Sequence, residues 1–154
     1  MGNILNLSLY IKQENLWFAG NREYDDEYKN EIRNCNVKYI PLEMLRKEGI
    51  LNCVQSFLRE TENKQLIGLW LHINVDVFNE TIIPCVGSRT VDGLMHEEFN
   101  LLTYRLFKSD KLTGFEIAIL DPDLDTNGQY TKDFVLNNTS YLQQYFTKVN
   151  KQNS

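Results

Sequence analysis

The order of hydrophobic and polar residues predicts alternating strands and helices from the start of the chain. Apolar and polar residues alternate over 5–11, which is typical of a half-buried strand. The apolar run 16–20 ends in glycine and predicts a second extended segment. Residues 23–34 are strongly charged but carry tyrosine and isoleucine at helical spacing. That spacing predicts an exposed amphipathic helix with a narrow apolar stripe.

A short strand and a long helix are predicted next. Residues 37–40 have the composition of a strand, and Pro41 follows at a position suited to the first turn of a helix. Apolar residues then recur every three or four positions to about Glu60, which predicts one helix with Gly49 as its weak point. Its buried stripe is expected to contain Leu42, Leu45, Ile50, Cys53, Val54, Phe57 and Leu58.

The stretch 66–94 begins as an apolar run and then carries polar residues at alternate positions, namely His72, Asn74 and Asp76. Side chains two apart on a strand share a face, so Asn74 and Asp76 are expected about 6 to 7 Å apart and able to bracket a metal or a polar ligand. His72 shares that face but lies about 13 Å from Asp76. The alternative is a buried strand that turns polar where it surfaces, and the pattern alone favours that alternative.

The remaining pattern predicts a helix over 93–108, a buried strand over 112–120 and a helix over 130–148 that buries Phe134, Tyr141 and Tyr145. Strands and helices therefore alternate along the whole chain. This order predicts an α/β fold with three αβα layers and a mostly parallel sheet. We expect a single domain over 1–150 and a frayed tail at 151–154.

Composition limits the possible partners. A chain of 154 residues with 42% hydrophobic residues can build one domain with a core. The net charge is −5 without a basic cluster, so neither nucleic acid nor an anionic membrane is an expected partner. No apolar run approaches the roughly 20 residues that cross a bilayer, and the first residues do not form the basic segment followed by an apolar one that is typical of a signal peptide. We expect a soluble, cytoplasmic protein.

Local motifs add little chemistry. Cys35, Cys53 and Cys85 form no C-x-x-C pair, so three reduced cysteines are expected. A D-x-D-x-N-G sequence begins at Asp123, but the twelfth position of this potential calcium loop is Phe134 where a glutamate is required. An acidic turn that caps the next helix is the expected structure.

Two enzyme signatures are incomplete. The sequence His96-Glu97-Glu98 would need a histidine at position 100 to match H-E-x-x-H, and that residue is Asn100. Ser88 lies outside any G-x-S-x-G motif. The motifs therefore predict neither a zinc protease nor a serine hydrolase.

Three stretches, taken together and in order, resemble the ureohydrolase superfamily of arginases, agmatinases and formimidoylglutamases. HINVDVFNETIIP (72–84) is similar to the family's S-x-D-x-D-V-F-[DNS] strand and the loop after it, and Gly93-Leu94 to its G-L helix start. FEIAILDPDLDTNG (115–128) is similar to its F-D-[LIV]-V-E-[LIV]-N-P-x-x-D-x-x-G segment, and LWFAGNREYDDEY upstream to its G-x-R segment. The resemblance covers roughly 16–146 and is greatest to the carboxyl-terminal half of the formimidoylglutamase type.

This resemblance implies a partial arginase-like fold and a centre of two manganese ions whose bridging hydroxide attacks a guanidinium or formimino carbon. Asp76 matches the family's second metal-binding aspartate, whereas Asn74 stands where the bridging aspartate is expected. Ile119 stands where the family has a substrate-orienting glutamate. His72 and Arg89 occupy strand and loop positions on the substrate side of the family motif.

The resemblance also implies an incomplete site, because the family's earlier histidine ligand and its D-x-H-x-D strand would lie upstream of residue 1. No catalytic or cofactor-binding residue is assigned, and the chain alone is expected to hold no cofactor. The first hypothesis is an inactive, degenerate ureohydrolase-like protein that self-associates or binds a complementary chain. The second is one part of a split enzyme in which a partner chain completes the Mn²⁺ site, and the third is an unrelated α/β binding module.

Overall fold

The protein has an α/β fold with parallel strands, seen in a computed structural model that describes residues 11–22 and 25–138. None of the helices in these ranges is both long and apolar enough to cross a membrane. The helices and strands in chain order are β1 (Trp17–Ala19), α1 (Asp26–Asn34), β2 (Lys38–Ile40), α2 (Leu42–Glu48), α3 (Ile50–Asn63), β3 (Leu69–Asn74), α4 (His96–Lys108), β4 (Leu112–Ala118) and α5, whose described part is 129–138.

The residues up to Lys47 form one compact unit. Within it β1 and β2 pair in parallel, with Ala19 opposite Ile40, and α1 connects them. The carboxylate of Asp25 accepts hydrogen bonds from two backbone N–H groups in the first turn of α1, which starts the helix where the charged sequence predicted it. The predicted elements at 16–20, 23–34 and 37–40 are confirmed. The strand predicted at 5–11 lies almost wholly outside the described residues.

The long helix predicted over 42–60 is wrong, because the chain forms two helices that Gly49 separates. Gly49 has φ +88°, which a helix cannot contain and which glycine adopts without steric cost. The helix α3 restarts directly after it, and the N–H of Cys53 donates to the Gly49 carbonyl. The residue predicted as the weak point of the helix is therefore the point at which the helix breaks.

The residues from Glu48 onward form a second compact unit around the parallel pair β3 and β4. Buried residues of this sheet, including Leu69, Ile73 and Leu112, share a core with Phe99 and Phe107 of α4. Phe57 and Leu58 of α3 pack against the same core. One face of the sheet is thus covered by helices.

The segment between β3 and α4 is held by a close contact between two backbones. Phe78 and Leu94 form an isolated parallel bridge, in which the N–H of Leu94 donates to Val77 and the N–H of Asn79 donates to Leu94. A Cβ atom at Gly93 would lie 2.1 Å from the Phe78 carbonyl carbon, so only glycine fits there. The helix predicted to begin at Gly93 begins at His96 instead, because this bridge uses the residues before it.

The end of the described chain matches the prediction in part. β4 lies within the predicted strand 112–120. The described part of α5 begins at 129, one residue before the predicted helix 130–148. Phe134 is buried as predicted, whereas Tyr141, Tyr145 and the tail at 151–154 lie outside the described residues. The parallel strand pairing is confirmed. The organisation as one domain over 1–150 stays a prediction.

Candidate functional site

The predicted site begins where β3 ends. Along β3 the residues Leu69 and Ile73 are buried, whereas Trp70, His72 and Asn74 are exposed on the opposite face. The strand stops at Asn74, whose side-chain oxygen accepts a hydrogen bond from the N–H of Asp76 at 2.8 Å. This bond caps the 3₁₀ turn Val75–Val77 that follows. Asn74 therefore has a local structural role at the end of the strand.

The expected strand geometry of Asn74 and Asp76 is wrong, because Asp76 belongs to this turn. A 3₁₀ turn rotates successive side chains by about a third of a circle, so the alternation of a strand no longer relates the two residues. Asp76 is half-buried there. In the described ranges, no three histidine, cysteine, aspartate or glutamate side chains lie together as a potential metal site. The assignment of Asp76 and Asn74 as metal positions stays a prediction.

His72 forms an ion pair that sequence reasoning missed. In the parallel register His72 lies opposite Glu116 of β4, and its Nδ1 lies 2.8 Å from the Glu116 carboxylate oxygen. The pKa of Glu116 is lowered, and the hydrogen bond with His72 is the largest cause. Desolvation opposes this decrease, whereas the charge of His72 and a hydrogen bond with Trp70 add to it. Both side chains are more than half exposed, at 55% and 54%.

The indole of Trp70 packs against Gly114 of the neighbouring strand. A Cβ atom at Gly114, the residue paired with Trp70, would lie 2.3 Å from the indole ring. Trp70 nevertheless remains 60% exposed. Together with His72 and Glu116 it forms an exposed patch on the sheet face that α3 and α4 leave open. We call the patch of Trp70, His72, Asn74 and Glu116 the open face. No pattern in the sequence could have found this patch, because it depends on the register that pairs the two strands.

Arg89 lies exposed on the loop between β3 and α4, close enough to act electrostatically on Cys85. Burial raises the pKa of the Cys85 thiol, and Arg89 is among the groups that oppose this increase. None of the three cysteines forms a disulfide. A role for Arg89 on the substrate side stays a prediction.

Ile119 follows β4 directly and has φ +72°. A β-branched residue in this left-handed region is strained, because its Cβ approaches the backbone. The side chain is 51% exposed and brings no charge to the end of the strand. The position at which the resemblance implied a glutamate therefore combines backbone strain with an apolar group.

The acidic loop after β4 caps the next helix, as predicted. Asp125 is buried, and its carboxylate accepts hydrogen bonds from the N–H of Tyr130 at 3.2 Å, the N–H of Thr131 at 2.8 Å and the hydroxyl of Thr131 at 2.6 Å. These bonds lower the pKa of Asp125, the one from the Thr131 hydroxyl most of all. The oxygens of Asp125 are thus used to start α5.

Comparisons with known proteins agree with the motifs. The model of the arginase family matches residues 4–142. The chain is 24% identical to an arginase of Staphylococcus aureus over 125 residues, which are 81% of this chain and 41% of that protein. It is 25% identical to an arginase of Plasmodium falciparum over 116 residues, 75% of this chain and 28% of that protein. The chain therefore spans less than half the length of these curated relatives.

Solved structures show the same partial coverage. An arginase from Bacillus subtilis superposes with a TM-score of 0.74 at 23% identity, covering 86% of this chain and 44% of that one. A formimidoylglutamase from the same organism gives a TM-score of 0.72 at 19% identity, covering 85% and 42%. The fold is thus a partial arginase-like fold, and the two values do not separate the arginase type from the formimidoylglutamase type. With nine-tenths of its residues matched by the family model, the chain belongs to the arginase family.

Proposed function

We propose that this chain is a non-catalytic member of the arginase family that acts by binding a second protein chain. The observation that carries the proposal is the open face, on which Trp70, His72 and Glu116 are each more than half exposed. Parallel sheets in soluble proteins are almost always covered on both faces. On β3 and β4, α3 and α4 cover the opposite face, so the open face is the natural surface for another polypeptide.

The residues at the ends of β3 and β4 support a loss of metal chemistry. Manganese is a hard cation that prefers carboxylate oxygens, and the neutral amide of Asn74 is a weaker ligand than the family's aspartate. Its oxygen already accepts the N–H of Asp76. Ile119 supplies no charge for a cationic substrate. These residues by themselves do not fit a two-manganese centre.

The proposal is tested by light scattering and sedimentation on the purified chain and on Trp70→Ala. The expected result is a complex, either of two copies or with a co-purifying chain, whose dissociation constant rises at least tenfold in Trp70→Ala because an aromatic anchor is lost. Tyr28→Ala, which removes an aromatic ring that is 59% exposed elsewhere, is the matched control and should leave the complex unchanged. A wild-type chain that stays monomeric and binds no protein would contradict the proposal.

A second candidate function is one part of a split manganese-dependent ureohydrolase. It is favoured by Asp76, which the resemblance assigns to the family's second aspartate and which lies within the matched range 4–142. Metal analysis of the co-purified complex distinguishes the two candidates. Bound manganese together with release of urea or formamide would favour the split enzyme, and a metal-free complex without hydrolysis would favour the binding function.

A further inference from the structure

Polar side chains meet where α4 contacts α5, inside an otherwise aromatic region. His96 and Asn100 lie one turn apart on α4, and they contact two consecutive residues of α5. The Nδ2 of Asn100 donates to the carbonyl of Asn137 at 3.1 Å. The Nδ2 of Asn138 lies 3.4 Å from the Nδ1 of His96. Both amide groups therefore lie where α4 contacts α5.

The side-chain oxygens of these two amides are buried without a hydrogen-bond donor from the described residues. Asn138 is only 3% exposed, so bulk solvent does not reach it. Rotating its amide by half a turn would not help, because the Nδ2 donates to the Phe134 carbonyl at 2.7 Å and an oxygen there would face another oxygen. The orientation of Asn138 is thus fixed, and its Oδ1 needs a donor from elsewhere.

Aromatic rings lie beside this contact, and they do not donate a hydrogen bond to the Asn138 oxygen. The rings of Phe78, Phe99 and Phe134 pack together beside this contact, and the ring of His96 lies 5.7 Å from that of Phe78. Burial lowers the pKa of His96, which favours the neutral ring that can accept from Asn138. Buried polar groups of this kind are usually satisfied by an internal water molecule.

We propose that one internal water molecule binds between α4 and α5 and donates its two protons to Asn100 Oδ1 and Asn138 Oδ1. Water is the ligand that fits, because it carries two donors and is small enough for a contact between packed helices. Bound there, it fixes the position of α5 against α4 through a satisfied polar network. This site is independent of the proposed binding function.

The test is NMR magnetisation transfer from water to the side-chain amide protons of Asn100 and Asn138. Transfer to both is expected in the wild type, and Asn138→Leu should abolish transfer at Asn100. Asn137→Leu is the matched control, since Asn137 is exposed and its side chain donates to Asp133, so transfer should persist. Absence of transfer in the wild type, or unchanged transfer at Asn100 in Asn138→Leu, would overturn the proposal.

A high-resolution crystal structure of the wild-type chain gives a second readout if Asn138→Leu does not fold. One ordered water within hydrogen-bond distance of both amide oxygens is the expected result. A metal cation held by the two oxygens, or an empty contact, would show that the inference is wrong.

Discussion

Asn74 has a local structural role at the end of β3. The resemblance to the family implies a charged metal ligand at this position, whereas the amide here accepts the N–H of Asp76 and closes a turn. Gly93 allows a close contact with the backbone of Phe78 and Asn79, and Asp125 accepts hydrogen bonds at the start of α5. Both lead to predictions at the scale of single residues.

Gly93→Ala is expected to destabilise the protein by about 1 to 3 kcal/mol, which is the usual cost of overpacking. The reason is that the new Cβ would lie within 2.2 Å of backbone atoms of Phe78 and Asn79. Backbone atoms cannot move aside as a flexible side chain can. Urea denaturation measures the change. Gly87→Ala is the matched control, since nothing lies within 4 Å of a Cβ there, and its stability should stay within about 0.5 kcal/mol of wild type.

Asp125→Asn is expected to lower the melting temperature at neutral pH by a few degrees, because a charged cap of α5 becomes a neutral one. The folded pKa of Asp125 is depressed, so its contribution is fully present above the ordinary aspartate value of 3.8 and is lost as the pH falls through the depressed value. The difference between variant and wild type should therefore shrink on acidification. Asp123→Asn, in the exposed part of the loop, should match wild type throughout.

At the scale of elements, the register of β3 and β4 creates features that neither strand has alone. It brings His72 to Glu116 and places the Trp70 ring on Gly114. The break between α2 and α3 is likewise a property of two elements, although a single glycine allows it. Local periodicity predicts each strand and helix, but it does not show which strands pair or where a helix breaks.

Gly49→Ala is expected to cost about 1 to 2 kcal/mol, because alanine is strained at φ +88°. The new Cβ would also lie 3.2 Å from the Asn52 amide, a tight contact that its side chain can relieve. Thermal unfolding followed by circular dichroism measures the loss. Equal or greater stability in the variant would mean that α2 and α3 can merge into the continuous helix that the sequence pattern favoured.

At the scale of the whole molecule, the proposed function depends on what the chain shares with its relatives. The matched part corresponds to 42% of the solved formimidoylglutamase of Bacillus subtilis and to 48% of a solved arginase of Bacillus subtilis. More than half of each of those relatives therefore has no counterpart in the aligned residues. A metal site assembled from several strands cannot be rebuilt by one substitution in such a part.

Asn74→Asp is accordingly expected to create no manganese-dependent hydrolysis in this chain alone. Release of urea from arginine and of formamide from formiminoglutamate should remain at background in the wild type, in Asn74→Asp and in the double variant with Ile119→Glu. The double variant serves as the stricter control, since it restores both departures from the family motif. Measurable activity after the single change would overturn the non-catalytic function.

The sequence by itself determined the class of the fold, because strand-like segments at 16–20, 37–40 and 112–120 alternate with segments of helical periodicity. It also determined the family, because the spacing of HINVDVF and FEIAILDP is a property of the chain order. The break at Gly49 depends on the φ of +88° that this residue adopts, and the start of α4 at His96 depends on the backbone bridge between Phe78 and Leu94. Only the tertiary structure decided them.

The same division applies to the candidate site. The motif singled out Asn74 and Ile119 because each departs from it at a fixed position, and their assignment to the site stays a prediction. The turn that removes Asp76 from the strand, the pairing of His72 with Glu116 and the buried amides of Asn100 and Asn138 could not be identified from the motif. The turn forms within Val75–Val77, the His72–Glu116 pairing requires the register of two strands, and the buried amides require the contact of two helices.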